Sequence, residues 1–594
     1  MNNKDVNIFF SCGERYVPFF GVALQSIVSH ASKARNYIAR CLYTNNISEE
    51  FKNRLIDTYS RDNMSVEFVD VSEKIKDYES KFHTRDYYTK STYYRLFIPE
   101  LYPELDKAVY LDCDIVLLDD VAKLYDEELG DDFVGAVPDE SVQLIDEFKL
   151  YSEKRIGVES YRRYFNAGVL LLNCKKLREI GFESKFISLI DAVTFNVAQD
   201  QDYLNAICKG NVKFLSPGWD KMPIDGVKLD EKDLKLIHYN LSFKPWLADG
   251  IKYEEYFWKY SDASEFASEI REKKEKADKD LKKIADEQTE NLIRICKEQA
   301  DDEVENARIQ RVIKSIMDRS PERLEIIKKI KEYEKKGWFD KDVENDPEGR
   351  TIMPGEVDYT RKKISSKIMT KYAYFVARRY LNGIIKSGDI VVKKINGLEN
   401  FANLKSGAII TCNHFSAMDS FAMQILYDKS GHKKRKMFKV IKEGNYTSFP
   451  GFYGLLMRNC YTLPLSSNMT TMKEFVTAVN HILREGNFVL IYPEQAMWWN
   501  YRKPRPLKKT AFKIAAENDV PVLPVFITMK DGEKIGPDGF PTQEFTINVG
   551  KPIYRTEGFS DSKNAKDMME ENFGVWKKFY EEEYNLPLQY NIAE

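Results

Sequence analysis

Short apolar runs separated by helical periodicity organise the first 262 residues. Runs at 7–11, 38–43, 66–71, 108–118, 133–137 and 168–173 read as buried strands, and the segments between them repeat apolar residues at helical spacing. Strands alternating with helices predict an α/β fold with a mostly parallel sheet. The pattern breaks at residue 263. Glu269-Ile270-Arg271-Glu272-Lys273-Lys274-Glu275-Lys276 opens a Lys/Glu/Asp-rich stretch with sparse apolar points at Leu281, Ile284, Leu292, Ile295 and Val304. This predicts a charged helical linker over 263–345, broken at Ser320-Pro321 and closed by the turn residues Asp346-Pro347-Glu348-Gly349. Its irregular heptads leave a solvated spacer and a partner surface both open. Strand-like runs return at 408–412, 436–441, 487–492, 520–529 and 545–549, predicting a second α/β domain over 346–594.

Composition narrows the function classes. A net charge of −3 gives no basic field for nucleic acid, and 43% apolar residues exclude wholesale disorder. The eight cysteines form no C-x-x-C pair and sit in apolar runs, which predicts reduced thiols in a cytoplasmic setting. The first five residues are polar and read as no signal peptide, and no run of about 18 apolar residues predicts a membrane span. Contact with a membrane would therefore come from the side. The segment 361–381 suits that role: it carries seven basic residues, no acidic ones, and interleaved apolar and aromatic positions. Core packing with a basic outer face explains the same pattern.

The sharpest local motif is Val109-Tyr110-Leu111-Asp112-Cys113-Asp114-Ile115-Val116. Two carboxylates at a strand end, where α/β sheets bind ligands, can share Mg²⁺ or Mn²⁺ and so neutralise a diphosphate leaving group. Alone, D-x-D also serves as a turn or helix cap. Its company is Ser91-Thr92-Tyr93-Tyr94-Arg95-Leu96, Phe165-Asn166-Ala167-Gly168-Val169-Leu170, Gln199-Asp200-Gln201-Asp202-Tyr203-Leu204-Asn205, and His238-Tyr239-Asn240-Leu241-Ser242-Phe243-Lys244-Pro245-Trp246. In order and spacing these resemble glycosyltransferase family 8, retaining enzymes of Rossmann-like GT-A type. The resemblance implies Mn²⁺ (or Mg²⁺) held by Asp112, Asp114 and His238, and Lys244 on the diphosphate of a UDP-sugar. It implies Arg95, Asp139, Asn166, Ala167 and Asp200 around the donor sugar, with Gln201 nearest its reacting face. Two positions depart from the family: Ser11-Cys12-Gly13-Glu14-Arg15-Tyr16 replaces an acidic nucleotide-gripping run, and Leu241 stands where a glycine is usual.

In the C-terminal part, Asn413-His414-Phe415-Ser416-Ala417-Met418-Asp419 gives H-x-x-x-x-D after a strand, and a histidine with an orienting carboxylate is a general base for an alcohol. A cap beside a surface histidine gives the same letters. The motif is followed by Phe449-Pro450-Gly451-Phe452-Tyr453-Gly454, Tyr492-Pro493-Glu494-Gln495, and Val520-Pro521-Val522-Leu523-Pro524-Val525. These resemble, in order, the blocks of the glycerolipid acyltransferase family. The resemblance implies an acyl donor, acyl-CoA or acyl carrier protein, with His414 as base and Asp419 orienting it. Glu494 and the basic run Arg502, Lys503, Arg505, Lys508 and Lys509 would then meet a head group or donor phosphates. Tyr-Pro-Glu-Gln replaces the usual F-P-E-G, and the second block lacks its arginine at Tyr461-Thr462-Leu463-Pro464-Leu465, which favours an uncharged acceptor.

The expectation is a bifunctional transferase, peripheral at the cytoplasmic membrane face, that builds or modifies a glycolipid on an anionic lipid surface. The alternative is a glycosyltransferase whose second domain only binds lipid.

Overall fold

The computed structural model describes residues 4–592 except 45–46, 62, 85–88, 277–280 and 346–348, and only the backbone of 281–286. The turn expected at 346–349 thus lies outside the described residues in its first three positions, as do the side chains of Leu281 and Ile284. Two compact units divide the chain, Met1–Leu324 and Glu325–Glu594.

In the first unit the strands are β1 (Asp5–Ser11), β2 (Asn36–Tyr43), β3 (Met64–Asp70), β4 (Ala108–Leu111), β5 (Ile115–Leu117), β6 (Val134–Pro138), β7 (Phe165–Leu172), β8 (Val212–Phe214) and β9 (Leu236–His238). Seven form a mixed sheet in the order β3-β2-β1-β4-β7-β6-β8, antiparallel only where β7 meets β4 and β6. β4 and β7 are buried at every position, as two-sided coverage by helices requires. The apolar run 108–118 is two strands rather than one. The chain leaves the main sheet at Asp112 and re-enters a small ladder in which β5 pairs antiparallel with β9. Hydrophobicity is continuous across that break, so periodicity does not reveal it.

The charged segment after residue 262 is helical, and its helices are docked rather than free. In the helix Glu303–Met317, Ile309, Ile313 and Ile316 are buried at i, i+4, i+7 spacing against the core of the first unit. Cys296 of the helix Leu281–Asp301 is fully buried there, with Leu292 and Ile295 packed beside it, while Val304 is exposed. A narrow apolar stripe suffices for docking even where charges dominate the count. The break at Ser320-Pro321 separates Glu303–Met317 from the next helix, Pro321–Lys335.

The second unit is built on β10 (Val391–Asn396), β11 (Ala408–Thr411), β12 (Met437–Ile441), β13 (Thr462–Pro464), β14 (Phe488–Ile491), β15 (Val522–Ile535) and β16 (Pro541–Val549). Their order is β10-β16-β15-β11-β14-β12-β13, with β15/β16 the one antiparallel pair. Both units are α/β. The short strands β8, β9, β10 and β13 carry too few apolar residues for the sequence pattern to mark them.

The basic segment is largely the helix Ile364–Ser387. Ala373 packs against Leu456 and Cys460, while Ile364, Ile368, Tyr372 and Phe375 stay exposed at i, i+4, i+8, i+11. No helix among the described residues is long and apolar enough to cross a membrane.

Candidate active sites

The first site forms where β4 stops. Asp112 and Asp114 flank the break, and the β5/β9 ladder sets His238 opposite Ile115, which brings it to both carboxylates. Its Nε2 lies 3.7 Å from Asp112 Oδ2 and 3.3 Å from Asp114 Oδ1. One ligand atom from each residue falls within 4.8 Å of the others. Gly168 of β7 makes this approach possible, since a Cβ there would stand 2.1 Å from His238 Cε1 and 2.8 Å from Asp112 Oδ2.

Asp114 Oδ1 and His238 Nε2 are buried and have no hydrogen-bond partner. Two orphaned atoms facing one another, one carboxylate oxygen and one imidazole nitrogen, fit a divalent cation with mixed O/N ligation. Burial opposes charge on His238, but Asp220 and Asp114 outweigh it and push the imidazole up to about 10. Burial would raise Asp114 too, yet Lys244 and His238 hold it well below the usual carboxylate range. Lys244 Nζ donates to Asp114 Oδ2 and to the Tyr239 carbonyl.

Asp220 is the residue that sequence reasoning missed. Fully buried, it sits 2.9 Å from His238 Nδ1. Burial raises its own carboxyl to about 6 against the pull of His238. A carboxylate on Nδ1 fixes the ring and turns Nε2 toward Asp112 and Asp114. Asp220 belongs to no motif; only the register of Lys221 with Ile237 carries it there.

The other predicted residues line the same cleft, except Ala167, which meets it through its backbone bonds to Arg95 and Gln201. Arg95 Nε donates to Asp200 Oδ2 at 2.7 Å, and its Nη1 donates to Asp112 Oδ1 at 3.3 Å and to the Ala167 carbonyl. Burial raises Asp200, and Arg95 counters it. Gln201 accepts from Ala167 N at 2.9 Å and donates to Asp139 Oδ2 at 3.0 Å, which also accepts from Asn166 Nδ2 at 3.0 Å. Ser11, in place of the acidic run, bonds the Tyr110 hydroxyl, which donates to Asp112 Oδ1. Leu241 keeps a glycine-like φ of 51°. A non-glycine residue in that region costs about 1–2 kcal/mol.

The second site lies at the C-terminal ends of the neighbouring parallel strands β11 and β14. His414 Nδ1 lies 2.7 Å from Oδ2 of Asp419, the fully buried first residue of the helix Asp419–Lys429. The ring is 23% exposed, so the pair can reach an incoming hydroxyl. Tyr492, where the family pattern has phenylalanine, stacks on His414 with centroids 4.3 Å apart and donates to Asp419 Oδ1 at 2.8 Å. Gln495, in place of the glycine, keeps φ at 67°.

Glu494 and the basic run stand differently from the expectation of open head-group contacts. Both Glu494 oxygens are taken inside the protein: Oε2 accepts from His414 N and Arg505 Nη2 at 2.9 Å each, and Oε1 from Arg505 N at 2.8 Å. It clamps the histidine loop. Arg502 pairs with Asp531 at 2.8 Å, Lys503 with Glu334 at 2.5 Å and Lys508 with Asp340 at 2.8 Å, while Lys509 donates to Ser562. Lys442, after β12, pairs with Asp342 at 2.8 Å.

Comparison with known proteins follows this geometry. The glycosyl transferase family 8 profile matches residues 7–250, and the acyltransferase family profile matches residues 392–528. A Haemophilus influenzae protein with a provisional glycosyltransferase assignment is 31% identical over 234 residues, covering 39% of this chain and 68% of that protein. Among solved structures, the galactosyltransferase LgtC held with donor and acceptor sugar analogs is 25% identical over 45% of this chain and all of its own, with a TM-score of 0.37. The 1-acyl-sn-glycerophosphate acyltransferase PlsC of Thermotoga maritima is 20% identical over 38% of this chain and 99% of its own, with a TM-score of 0.26. Residues 7–250 therefore make this chain a member of glycosyltransferase family 8, and residues 392–528 add an acyltransferase-family domain, so that by domain content it is a transferase with two functions.

Proposed function

We propose that the protein transfers a hexose from a UDP-sugar, with retention, and an acyl group from a thioester to a lipid or sugar hydroxyl, both on one glycolipid at an anionic membrane surface. The observation that carries this reading is that one chain holds two complete constellations: the facing, orphaned Asp114 Oδ1 and His238 Nε2, and the His414–Asp419 pair with its ring still accessible.

In the first domain Asp112, Asp114 and His238 would hold Mn²⁺, which when bound neutralises the diphosphate of the donor. Lys244, already beside Asp114, meets the same charge as the sugar–phosphate bond breaks. Arg95, through Asp200 and the Ala167 carbonyl, fixes the wall where the sugar would lie. Gln201 is held against Ala167 and Asp139, so its amide is oriented in advance. In the second domain His414 takes the acceptor proton while Asp419 holds the ring and stabilises the imidazolium. The lost second-block arginine and the neutralised basic rim favour an uncharged acceptor. The exposed apolar stripe of Ile364–Ser387, flanked by Lys363, Lys367 and Lys371, supports docking on anionic lipid.

The test supplies UDP-glucose or UDP-galactose, Mn²⁺, acyl-CoA and anionic vesicles, and reads the lipids by mass spectrometry. A lipid carrying both a new hexose and a new acyl chain is expected. Separate singly modified products, with no doubly modified molecule, would end the shared-substrate reading.

A further inference from the structure

The cleft that holds the metal trio is not polar throughout. Val142, Phe148, Tyr151, Val197 and Leu292 also line it, and all five belong to one packed apolar cluster. The one polar atom among these side chains, the Tyr151 hydroxyl, is already committed to Asp202 Oδ2 at 2.9 Å. The lining hydroxyls next to them also donate within the protein, Ser141 to Asp139 and Ser152 to the Lys149 carbonyl. A second sugar ring placed against these five side chains would face mostly hydrocarbon, which is costly for polar groups leaving water.

The wall also has an unusual source. Val142 and Phe148–Tyr151 come from the short helices Glu140–Leu144 and Asp146–Tyr151, directly after the donor-side residue Asp139. Leu292 comes from the helix Leu281–Asp301, beyond the family match at 7–250. The charged extension is fastened to the end of the second short helix. Arg155 Nη1 donates to Asn306 Oδ1 at 3.1 Å, and Gln310 Nε2 donates to the Arg155 carbonyl at 2.8 Å. Arg155 lies in a π-turn, Ser152–Ile156, a distortion that often accompanies functional sites. On the same short helices Leu144 and Leu150 are 52% and 44% exposed, so these elements carry apolar surface outward as well as inward.

We infer that the helix Leu281–Asp301 completes an acceptor subsite in the glycosyltransferase cleft, and that this subsite takes the apolar aglycone of the hydroxyl that receives the sugar. The inference rests on the proposed sugar transfer and adds the chemistry of its acceptor. An alkyl or acyl chain against Leu292, Phe148 and Val142 is held by burial alone, at about a fourfold gain in affinity per buried methylene.

The experiment measures binding of methyl, hexyl and octyl β-D-glucoside to the full-length protein by calorimetry, below micelle concentrations. Affinity is expected to rise at least tenfold from methyl to octyl. Leu292→Asp should erase that rise, Leu292→Met should keep it, and Val304→Asp, at an exposed position on the next helix, should leave it as it was. Equal affinity for all three glucosides would overturn the inference, and so would an undiminished octyl preference in Leu292→Asp. Hydrolysis of UDP-glucose and UDP-galactose by the unaltered protein is recorded separately. Loss of that activity with the alkyl preference intact would strike the donor reading alone.

Discussion

Metal binding by Asp112, Asp114 and His238, as proposed, makes a quantitative demand on pH. In the metal-free protein the Asp220 and Asp114 carboxylates, working against burial, push His238 up to about 10. Below that value the ring carries two protons, and Nε2 must lose one before it ligates. One proton therefore leaves per ion bound, and Mn²⁺ affinity should rise about tenfold, or about 1.4 kcal/mol, for each pH unit across the neutral range. Calorimetry in two buffers of different ionisation enthalpy counts that proton directly. Asp220→Asn changes both the height and the shape of the curve. Without the second carboxylate the imidazole falls back toward its ordinary range, so the slope flattens at lower pH. An asparagine amide turned toward Nδ1 would also force the proton onto Nε2. Above about pH 10, where protons no longer compete in either protein, the loss in affinity should be about 10–100-fold. The same raised value fixes the sign of a stability effect. The metal-free fold keeps the full His238 contribution below about 6.5 and loses it as pH rises through about 10. Mn²⁺ binding that is flat with pH, or unchanged by Asp220→Asn, would refute the trio and its buried support together.

Asp114→Asn should abolish sugar transfer while leaving acyl transfer intact, since it removes an orphaned ligand atom in one domain only; full sugar transfer in chelator would contradict the metal assignment. His414→Ala should cost acyl transfer about 10²–10⁴-fold, and a variant acylating at the normal rate would remove His414 from the chemistry. Tyr492→Phe keeps the stacked ring but drops the bond to Asp419, worth about 0.5–1.5 kcal/mol, so kcat should fall several-fold with little change in KM. Reversing Lys363, Lys367 and Lys371 to Glu should release the protein from anionic vesicles, each lysine contributing about 1 kcal/mol; vesicle co-sedimentation checks it.

How much of this the sequence discloses depends on the range of the interaction. D-x-D and H-x-x-x-x-D are local, and their residues meet as the letters suggest. His238 stands far along the chain from Asp114, and only the family's spacing placed it in the set. Asp220 carries no such signal, because its role arises from the register of a short strand. Tyr492 read as a departure from the family pattern, yet its hydroxyl adds a bond to the acyl site that phenylalanine lacks. The charged segment misleads for another reason. Composition counts every residue, whereas docking depends on one stripe, and Ile309, Ile313 and Ile316 are enough. Leu241 and Gln495 stand where the family pattern has glycine, and both adopt the positive φ that glycine takes without strain.

The basic run shows why charge read from sequence is incomplete at a site. Lys503 and Lys508 read from the sequence as candidates for phosphate contacts. Each, like Lys442, is instead paired with a carboxylate from residues 334–342 of the same unit. That stretch is held in place by bonds that reach the catalytic loop. Arg505 donates to the Phe339 carbonyl at 3.0 Å and to the His414 carbonyl at 3.2 Å, while Trp498 Nε1 donates to the Lys341 carbonyl at 2.8 Å. The Lys508–Asp340 and Lys442–Asp342 pairs are exposed and add little stability, so their main consequence is electrostatic, whereas Glu334 is buried beneath Lys503. A phosphomonoester arriving at this rim would have to displace carboxylates already in place, whereas a neutral sugar hydroxyl would not. On the proposed reading that is the product the first domain makes: a lipid whose new hydroxyls are uncharged. On that same reading the absence of the second-block arginine and the presence of the acidic stretch would act in one direction, away from a phosphate-bearing acceptor and toward a glycosylated one.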